Sequence, residues 1–381
     1  MPSMSTPPIV FVFNAPLSSG CDYVTQTMRI VARTNPTYGI ALGDIISFPR
    51  WLAGKDRWVV KNEHGATVVR PISILPGIRF RWVRILTYSY VSVILRVWLA
   101  IKYKGVRKLL WFFEPFHVPP LLTIFLGYTT VYDCVDYYPG FDPHAKHEHD
   151  SVIRHASYVF ANSESLSKIL KQARPDVVRV PSGFAEELFS DIRVMPIPPQ
   201  KHPFVVGYIG SISDRFDFSL LEKVIKKLPS AHFFFIGSFE PDVFGRCDDA
   251  MDQFNNILKY TNTRWIRGVP KKDIPSALAT IDVGLIPYRT DSSFNRLSFP
   301  MKALEYFAAG RPVVSANITA LRAYADKGLL TIAERQKVFV QAIRKYQRTG
   351  WNVSVQKRQL RAAVAQSWSK KVKVILSELC V

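Results

Sequence analysis

Two polar residues, Lys302 and Glu305, stand in an otherwise apolar helical pattern and have the types needed to bind a phosphate and a sugar hydroxyl. The pattern runs from Met301 to Ala309 with apolar residues at helical spacing, and Gly310 caps its end. Free N–H groups at a helix start, beside a lysine, favour a phosphate. A carboxylate one turn later can accept hydrogen bonds from ribose hydroxyls. The alternative is a surface ion pair, since residues three apart share one helix face.

Residues 299–315, FPMKALEYFAAGRPVVS, resemble the nucleotide-sugar-binding segment of family 4 glycosyltransferases of the GT-B fold. In that family a loop, a helix with the pattern fPlK..EY.a.G.PVV and a strand recur. Many members also carry a glutamate eight residues before the one in this pattern, and that position here is Leu297. The resemblance implies that the residues binding the nucleotide sugar in this segment are Ser298, Pro300, Met301, Lys302 and Glu305.

Two polar loops containing glycine each follow a predicted buried strand and precede a predicted helix. The first follows the strand Ile9–Phe13, and an ordinary strand-to-helix turn explains it equally well. The second, residues 210–215, ends in an arginine, whose guanidinium can bind phosphate oxygens in a bidentate fork. The resemblance implies that both loops approach the donor diphosphate, and that backbone groups of a third turn meet the base. The candidates in these three turns are Ser19, Gly20, Gly210, Ser211, Arg215, Gly268, Val269 and Pro270.

Two carboxylates lie where another predicted strand ends, in the segment Tyr-Asp-Cys-Val-Asp-Tyr-Tyr at residues 132–138. The carboxyl ends of strands are the usual position of ligand-facing residues in open α/β sheets. Asp136 is the preferred candidate and Asp133 the second, each able to orient an acceptor hydroxyl or to act as a base. A turn cap is the alternative for Asp133. The segment also resembles one found in bacterial members of the same glycosyltransferase class.

Strands and helices alternate along the chain, which predicts an α/β protein with doubly wound sheets. The resemblance implies a GT-B fold, in which two Rossmann-like domains face each other across a cleft. A proline-rich linker at residues 195–203 predicts the boundary between them. The expected parts are an acceptor-side domain over 1–195, a nucleotide-sugar domain over 203–335, and helices over 336–381 that cross back to the first domain.

The formal net charge is +20, and its placement suggests an anionic partner. Residues 70–108 contain nine Lys and Arg and no acidic residue, while residues 335–373 contain eleven and none. In the first stretch these bases alternate with aromatic residues, among them Trp82 and Trp98. Such a surface suits a membrane interface. It also suits a groove that binds single-stranded nucleic acid, or a core helix with a solvated basic face.

The chain shows no secretion signal, and its four cysteines lack paired or metal-type spacing, which predicts reduced thiols in the cytoplasm. No segment is expected to reach the roughly 18 apolar residues of a membrane-spanning helix, because Arg96 interrupts the nearest candidate. The expected location is therefore cytoplasmic and peripheral, at the inner face of the cell membrane.

The resemblance implies a hexosyltransferase-like glycosyltransferase that moves a sugar from a UDP- or GDP-linked donor to a lipid-linked glycan acceptor in polysaccharide or cell-envelope biosynthesis. No cofactor and no metal are expected, since basic side chains can balance the charge of the departing nucleotide diphosphate. One alternative is a glucosyltransferase that modifies nucleic acid, or a basic nucleic-acid binder, although the partner favoured is not a nucleic acid. Another is a sugar-nucleotide epimerase of the same fold.

Overall fold

The computed structural model describes residues 5–14, 22–61, 65–142, 144–190, 203–240 and 249–381. The chain divides into two compact units: unit 1 contains Met1–Val180 and Trp368–Val381, and unit 2 contains Pro181–Ser367. The division falls before the proline-rich linker because the residues after Val180 already pack in unit 2. Phe184 and Phe189, for example, are buried in the unit 2 core.

Unit 1 alternates strands and helices. Its strands are β1 (Ile9–Phe13), β2 (Thr37–Ala41), β3 (Ile46–Ser47), β4 (Val59–Lys61), β5 (Thr67–Val69), β6 (Ile72–Ser73), β7 (Leu109–Phe112), β8 (Thr129–Cys134), β9 (Tyr158–Ala161) and β10 (Val178–Arg179). Its helices are α1 (Asp22–Val31), α2 (Phe48–Leu52), α3 (Arg81–Lys102), α4 (Val118–Ile124), α5 (Ala145–His155) and α6 (Glu164–Ala173).

The described strands of unit 1 form a sheet of order β10-β9-β8-β7-β1-β2-β5-β4, with a separate β3–β6 pair. All neighbours in the sheet are parallel except β4 and β5. Strands β1 and β7 are buried along their whole length, as expected for a parallel sheet covered on both faces by helices. The strand order reverses between β1 and β7, so ligands are expected at the carboxyl ends of these two strands.

Unit 2 repeats the plan. Its strands are β11 (Phe204–Ile209), β12 (Ala231–Ile236), β13 (Thr263–Ile266), β14 (Val283–Ile286), β15 (Val313–Ser315) and β16 (Thr331–Ile332). Its helices are α7 (Phe218–Lys227), α8 (Ala250–Leu258), α9 (Ile274–Ala279), α10 (Ser293–Leu297), α11 (Lys302–Ala308), α12 (Arg322–Asp326), α13 (Gln336–Thr349) and α14 (Val353–Val364). Helix α15 (Trp368–Glu378) follows and belongs to unit 1.

The sheet of unit 2 is parallel and has the order β13-β12-β11-β14-β15-β16 in the described residues. Its order reverses between β11 and β14, which places the expected ligand crevice at the carboxyl ends of those strands. Helices α13 and α14 lie within unit 2, and α15 alone of the final helices lies within unit 1. The predicted helical segment 336–381 is thus divided between the two units.

Helix α3 corrects the expectation that no segment is long and apolar enough to span a membrane. It has 22 residues and a mean hydropathy of 1.4 over its most apolar window, and it passes that test by length and composition, alone among the described helices. Arg96 does not interrupt it. However, Tyr88, Val91, Leu95 and Leu99 on one of its faces are buried in the core of unit 1.

Candidate functional site

The loop after β11 is shaped by two glycines that permit close approaches. Gly210 has φ 122°, and a Cβ atom there would lie 3.2 Å from Cε of Lys302. Gly237, after β12, has φ 150°, and a Cβ atom there would lie only 2.0 Å from the carbonyl oxygen of Gly210. Glycine is the residue that accepts such angles without strain. The loop can therefore lie directly against the lysine at the start of α11.

Lys302 points toward two tyrosines at the ends of β11 and β14. Its Nζ donates a 2.5 Å hydrogen bond to the hydroxyl of Tyr288 and lies 4.9 Å from the centroid of the Tyr208 ring. The two tyrosine hydroxyls are 3.1 Å apart. An ammonium group has three donors, so the contact with Tyr288 leaves donors for a ligand.

Arg215 contacts the same tyrosine. Its guanidinium carbon lies 4.5 Å from the centroid of the Tyr288 ring and 5.2 Å from that of Phe294. Its Nε donates a 2.9 Å hydrogen bond to Oδ1 of Asn295, a buried residue whose amide donates to the carbonyl oxygen of Arg289. Asn295 thereby fixes the guanidinium, a bidentate phosphate-binding group, at the carboxyl edge of the sheet.

The electrostatics of this cluster favour an anion. Burial acts to raise the pKa of Tyr288, but the charges of Lys302 and Arg215 outweigh it and hold that pKa below its ordinary value. Two cations face one buried phenol, with no carboxylate among the contacts described above. A phosphate or diphosphate is the ligand class that such a site binds best. We call Arg215, Lys302, Tyr208, Tyr288 and Asn295 the cationic cluster.

The structure brings together the predicted residues Gly210, Arg215 and Lys302 at the crevice between β11 and β14. Ser211 is exposed and its hydroxyl donates a 2.6 Å hydrogen bond to Glu240. Helix α11 starts at Lys302, and Glu305 is half-buried one turn further along it. The remaining predicted residues before the helix are Ser298 and Pro300, which are buried, and Met301, which is half-buried.

Other predicted residues lie apart from the cluster or outside the described part of the chain. Gly268, Val269 and Pro270 follow β13, the edge strand two positions from β11 in the sheet. Gly268 has φ 72°, which suits the turn predicted there. Ser19 and Gly20 lie outside the described residues. In the part of the chain that the structure describes, no group of three or more His, Cys, Asp and Glu side chains is arranged to hold a metal.

Asp133 is not the accessible carboxylate that the sequence suggests. Both it and Lys371 of α15 are wholly buried, and Nζ of Lys371 lies 2.9 Å from Oδ1 of Asp133. A carboxylate without solvent access that already pairs with a lysine cannot reach an acceptor. The pair instead connects α15 to β8. Lys371 is therefore one base of the stretch 335–373 that does not face solvent.

The strand order of unit 1 identifies a carboxylate that the sequence analysis missed. Glu114 comes just after β7, at the point where the order reverses, and it accepts a hydrogen bond from the hydroxyl of Tyr23. Asp136, after β8, is half-buried one strand further out. Glu114 could have been predicted from the sequence, because it is an acidic residue at the end of a predicted buried strand. The same pattern identified Asp136.

Comparisons with known proteins identify similar sequences and folds. Residues 203–348, which contain the cationic cluster, match the family model described as glycosyl transferases group 1. Over its whole length the chain resembles HepE of Anabaena, solved in complex with UDP and glucose, with a TM-score of 0.69 at 15% identity and 98% coverage of both chains. The chain has the GT-B fold, and residues 203–348 of its second unit match the group 1 glycosyltransferase model.

Two further comparisons give a second solved structure of similar fold and a curated protein of similar sequence. Sucrose-phosphate synthase from Thermosynechococcus elongatus gives a TM-score of 0.73 at 13% identity, covering 98% of both chains. A Bacillus subtilis (strain 168) protein named "Putative teichuronic acid biosynthesis glycosyltransferase TuaH" is 28% identical over 235 residues. That match covers 56% of each chain, so the GT-B chain spans about half the length of TuaH in the alignment.

Proposed function

We propose that this protein transfers a sugar from a nucleotide-diphosphate sugar to a lipid-linked glycan acceptor. The observation that carries the proposal is the convergence of Lys302 and Arg215 on Tyr288, at the switch point of the domain that matches the glycosyltransferase family. The cluster binds the diphosphate, and its two charges balance the negative charge that develops as the nucleotide departs. Because these cations carry that role, the transfer requires no metal ion.

The acceptor class is proposed from charge and from the relatives. The HepE complexes contain UDP, glucose and UDP-glucose, and the name of TuaH refers to teichuronic acid biosynthesis. A glycan of this kind built on a lipid carrier would be presented at the cytoplasmic face of the membrane, where the basic stretch 70–108 meets anionic headgroups. In unit 1, Glu114 and Asp136 are the carboxylates proposed to orient the acceptor hydroxyl.

The Arg215→Ala variant tests the diphosphate site. We expect its affinity for UDP to fall by a factor of about 10–150, the effect of losing a hydrogen bond to a charged group worth about 1.5–3 kcal/mol. Calorimetric titration of the full chain measures the UDP affinity. Adding EDTA should leave that affinity unchanged, since no metal ion is required. Arg358→Ala is the matched control, because Arg358 is an exposed arginine of α14 whose Nη2 donates a 2.6 Å hydrogen bond to a backbone carbonyl. Equal UDP affinities for the Arg215 and Arg358 variants would contradict the placement.

Glu305 is proposed to hold the ribose, since it lies one turn from Lys302 on α11. A Glu305→Gln variant should bind UDP about tenfold or more weakly, because a charge-assisted hydrogen bond to a hydroxyl is lost. It should bind inorganic pyrophosphate as the native chain does, since the cationic cluster is intact. Competition calorimetry with the two ligands separates these effects. If both affinities stay unchanged and only the melting temperature falls, Glu305 has a structural role.

A further inference from the structure

The outer face of α3 carries exposed apolar side chains near its start and along its second half. Counting 100° per residue, its exposed apolar side chains fall within an arc of about 160°. This arc, which we call the α3 face, consists of Trp82, Leu86, Val93, Ile94, Val97, Trp98 and Ile101, each between 44% and 76% exposed. Soluble proteins rarely leave so many large apolar side chains contiguous on one surface, unless that surface binds a partner or a membrane.

Basic side chains border the α3 face on both sides. Arg96 lies about 40° beyond one edge of the arc and Lys102 about 40° beyond the other, by the same helical spacing. The Nζ of Lys102 lies 4.5 Å from the centroid of the Trp98 ring. Helix α3 contains no acidic residue. An apolar stripe with a positive charge beside each edge complements a bilayer surface whose anionic headgroups lie above its acyl chains.

The apolar surface continues inward from this helix. A pocket of about 280 Å³ opens between α3 and the strands β2, β4 and β5, and Ile94 and Trp98 form part of its wall. Its other lining residues include Tyr38, Trp58, Val59 and Val69. The pocket extends the area that an acyl chain can contact beyond the helix itself.

The buried face of α3 decides how a membrane would be contacted. Val91 and Leu95 pack in the core of unit 1, and the helix belongs to the crossover that connects β5 to β7 in the doubly wound sheet. A membrane-spanning position would remove these residues from that core. A helix that keeps one face in the protein and offers the other to lipid must lie in the plane of the interface.

We propose that the α3 face docks on an anionic lipid bilayer, with its apolar side chains at the boundary between headgroups and acyl chains and with Arg96 and Lys102 against the headgroups. The proposal rests on the lipid-linked acceptor of the proposed function, and it names the surface that brings the enzyme to that acceptor. It differs from adsorption by charge alone, because apolar insertion persists when salt screens the charges.

Vesicle co-sedimentation tests the docking surface. The full chain is expected to sediment with vesicles of phosphatidylglycerol mixed with phosphatidylcholine, and to do so more weakly with phosphatidylcholine alone. A triple variant, Leu86→Ser, Val97→Ser and Ile101→Ser, should lose at least tenfold of its partition coefficient and should be released fully by high salt. All three side chains are more than half exposed, so the core is left intact. Ile101→Ser alone, at the most exposed position, should show the same direction if the triple variant does not fold.

A double variant, Val338→Ser with Val364→Ser, is the matched control, because it removes exposed apolar residues from α13 and α14 of unit 2. It should sediment like the native chain. Equal sedimentation of the triple variant and the native chain would overturn the proposal, and so would a loss confined to the control. UDP calorimetry on the same proteins separates this proposal from the proposed function. If the native chain binds UDP but does not sediment with anionic vesicles, the docking surface is wrong and the nucleotide site still stands.

Discussion

The double variant Arg215→Ala/Lys302→Ala is expected to show no measurable binding of UDP. Each side chain supplies a charged hydrogen bond to the diphosphate worth about 1.5–3 kcal/mol. Together they supply the positive charge that surrounds the Tyr288 hydroxyl. Losing both removes roughly 3–6 kcal/mol, or about two to four orders of magnitude in affinity.

Calorimetry of the two single variants, the double variant and Tyr288→Phe resolves the contributions. Tyr288→Phe removes the hydroxyl contacted by Lys302 but neither positive charge. It should weaken UDP binding less than the loss of either cation, while Arg358→Ala, the matched control, should bind UDP with the native affinity. Lys302→Arg should retain most of the affinity, because the charge stays. Micromolar binding by the double variant, with an unchanged melting temperature, would place the diphosphate elsewhere.

The Lys371→Met variant is expected to lower the free energy of unfolding by about 3–5 kcal/mol, the effect of breaking a buried ion pair by removing one partner. Burial raises the pKa of Asp133, and the charge of Lys371 acts in the opposite direction. Without the lysine, the carboxylate remains in the core without a counter-charge. Urea unfolding followed by circular dichroism measures the loss.

The pH dependence of the same variant has a definite sign. Removing Lys371 raises the pKa of Asp133 further in the folded state, so the folded chain holds a proton that the unfolded chain releases at about pH 4. Stability is therefore retained below that pH and lost as the pH rises toward the folded-state pKa. The deficit against the native chain should be larger at pH 7 than at pH 5. A Lys371→Met/Asp133→Leu double variant should recover most of it at both pH values, because no buried charge remains. A deficit independent of pH would contradict this account of the pair.

The sequence predicts the fold of unit 2, and the candidate phosphate-binding features that it proposes there are local. The glycine loop, Arg215 and Lys302 are each recognisable from a few adjacent residues. The sequence analysis missed Tyr288 and Asn295, because their role depends on β14 lying beside β11. The spacing of residues along the chain does not predict which strands are neighbours in a sheet. The same holds for Glu114 in unit 1, whose importance follows from the reversal of strand order at β1 and β7.

Long-range partners explain the other differences. Asp133 satisfies the strand-end pattern, but its partner Lys371 comes from the last helix of the chain. The sequence predicts too short an apolar run in this region because Arg96 lies inside it. In the structure this arginine borders the apolar arc of α3 and donates a 3.3 Å hydrogen bond to the carbonyl oxygen of Leu126. Periodicity indicates that the helix is amphipathic, but which arc packs against the sheet depends on the tertiary fold.

The central claim is that unit 2 binds a nucleotide diphosphate through the cationic cluster, and calorimetric titration of the native chain tests it most directly. UDP, GDP, UMP and UDP-glucose are titrated in turn, with EDTA present. The account predicts that UDP or GDP binds at a single site. If the protein prefers uracil, UDP and UDP-glucose should each bind at least tenfold more tightly than UMP, because their second phosphate contacts Lys302 or Arg215. No heat of binding with any nucleotide diphosphate or nucleotide sugar, or equal affinities for UMP and UDP, would contradict it.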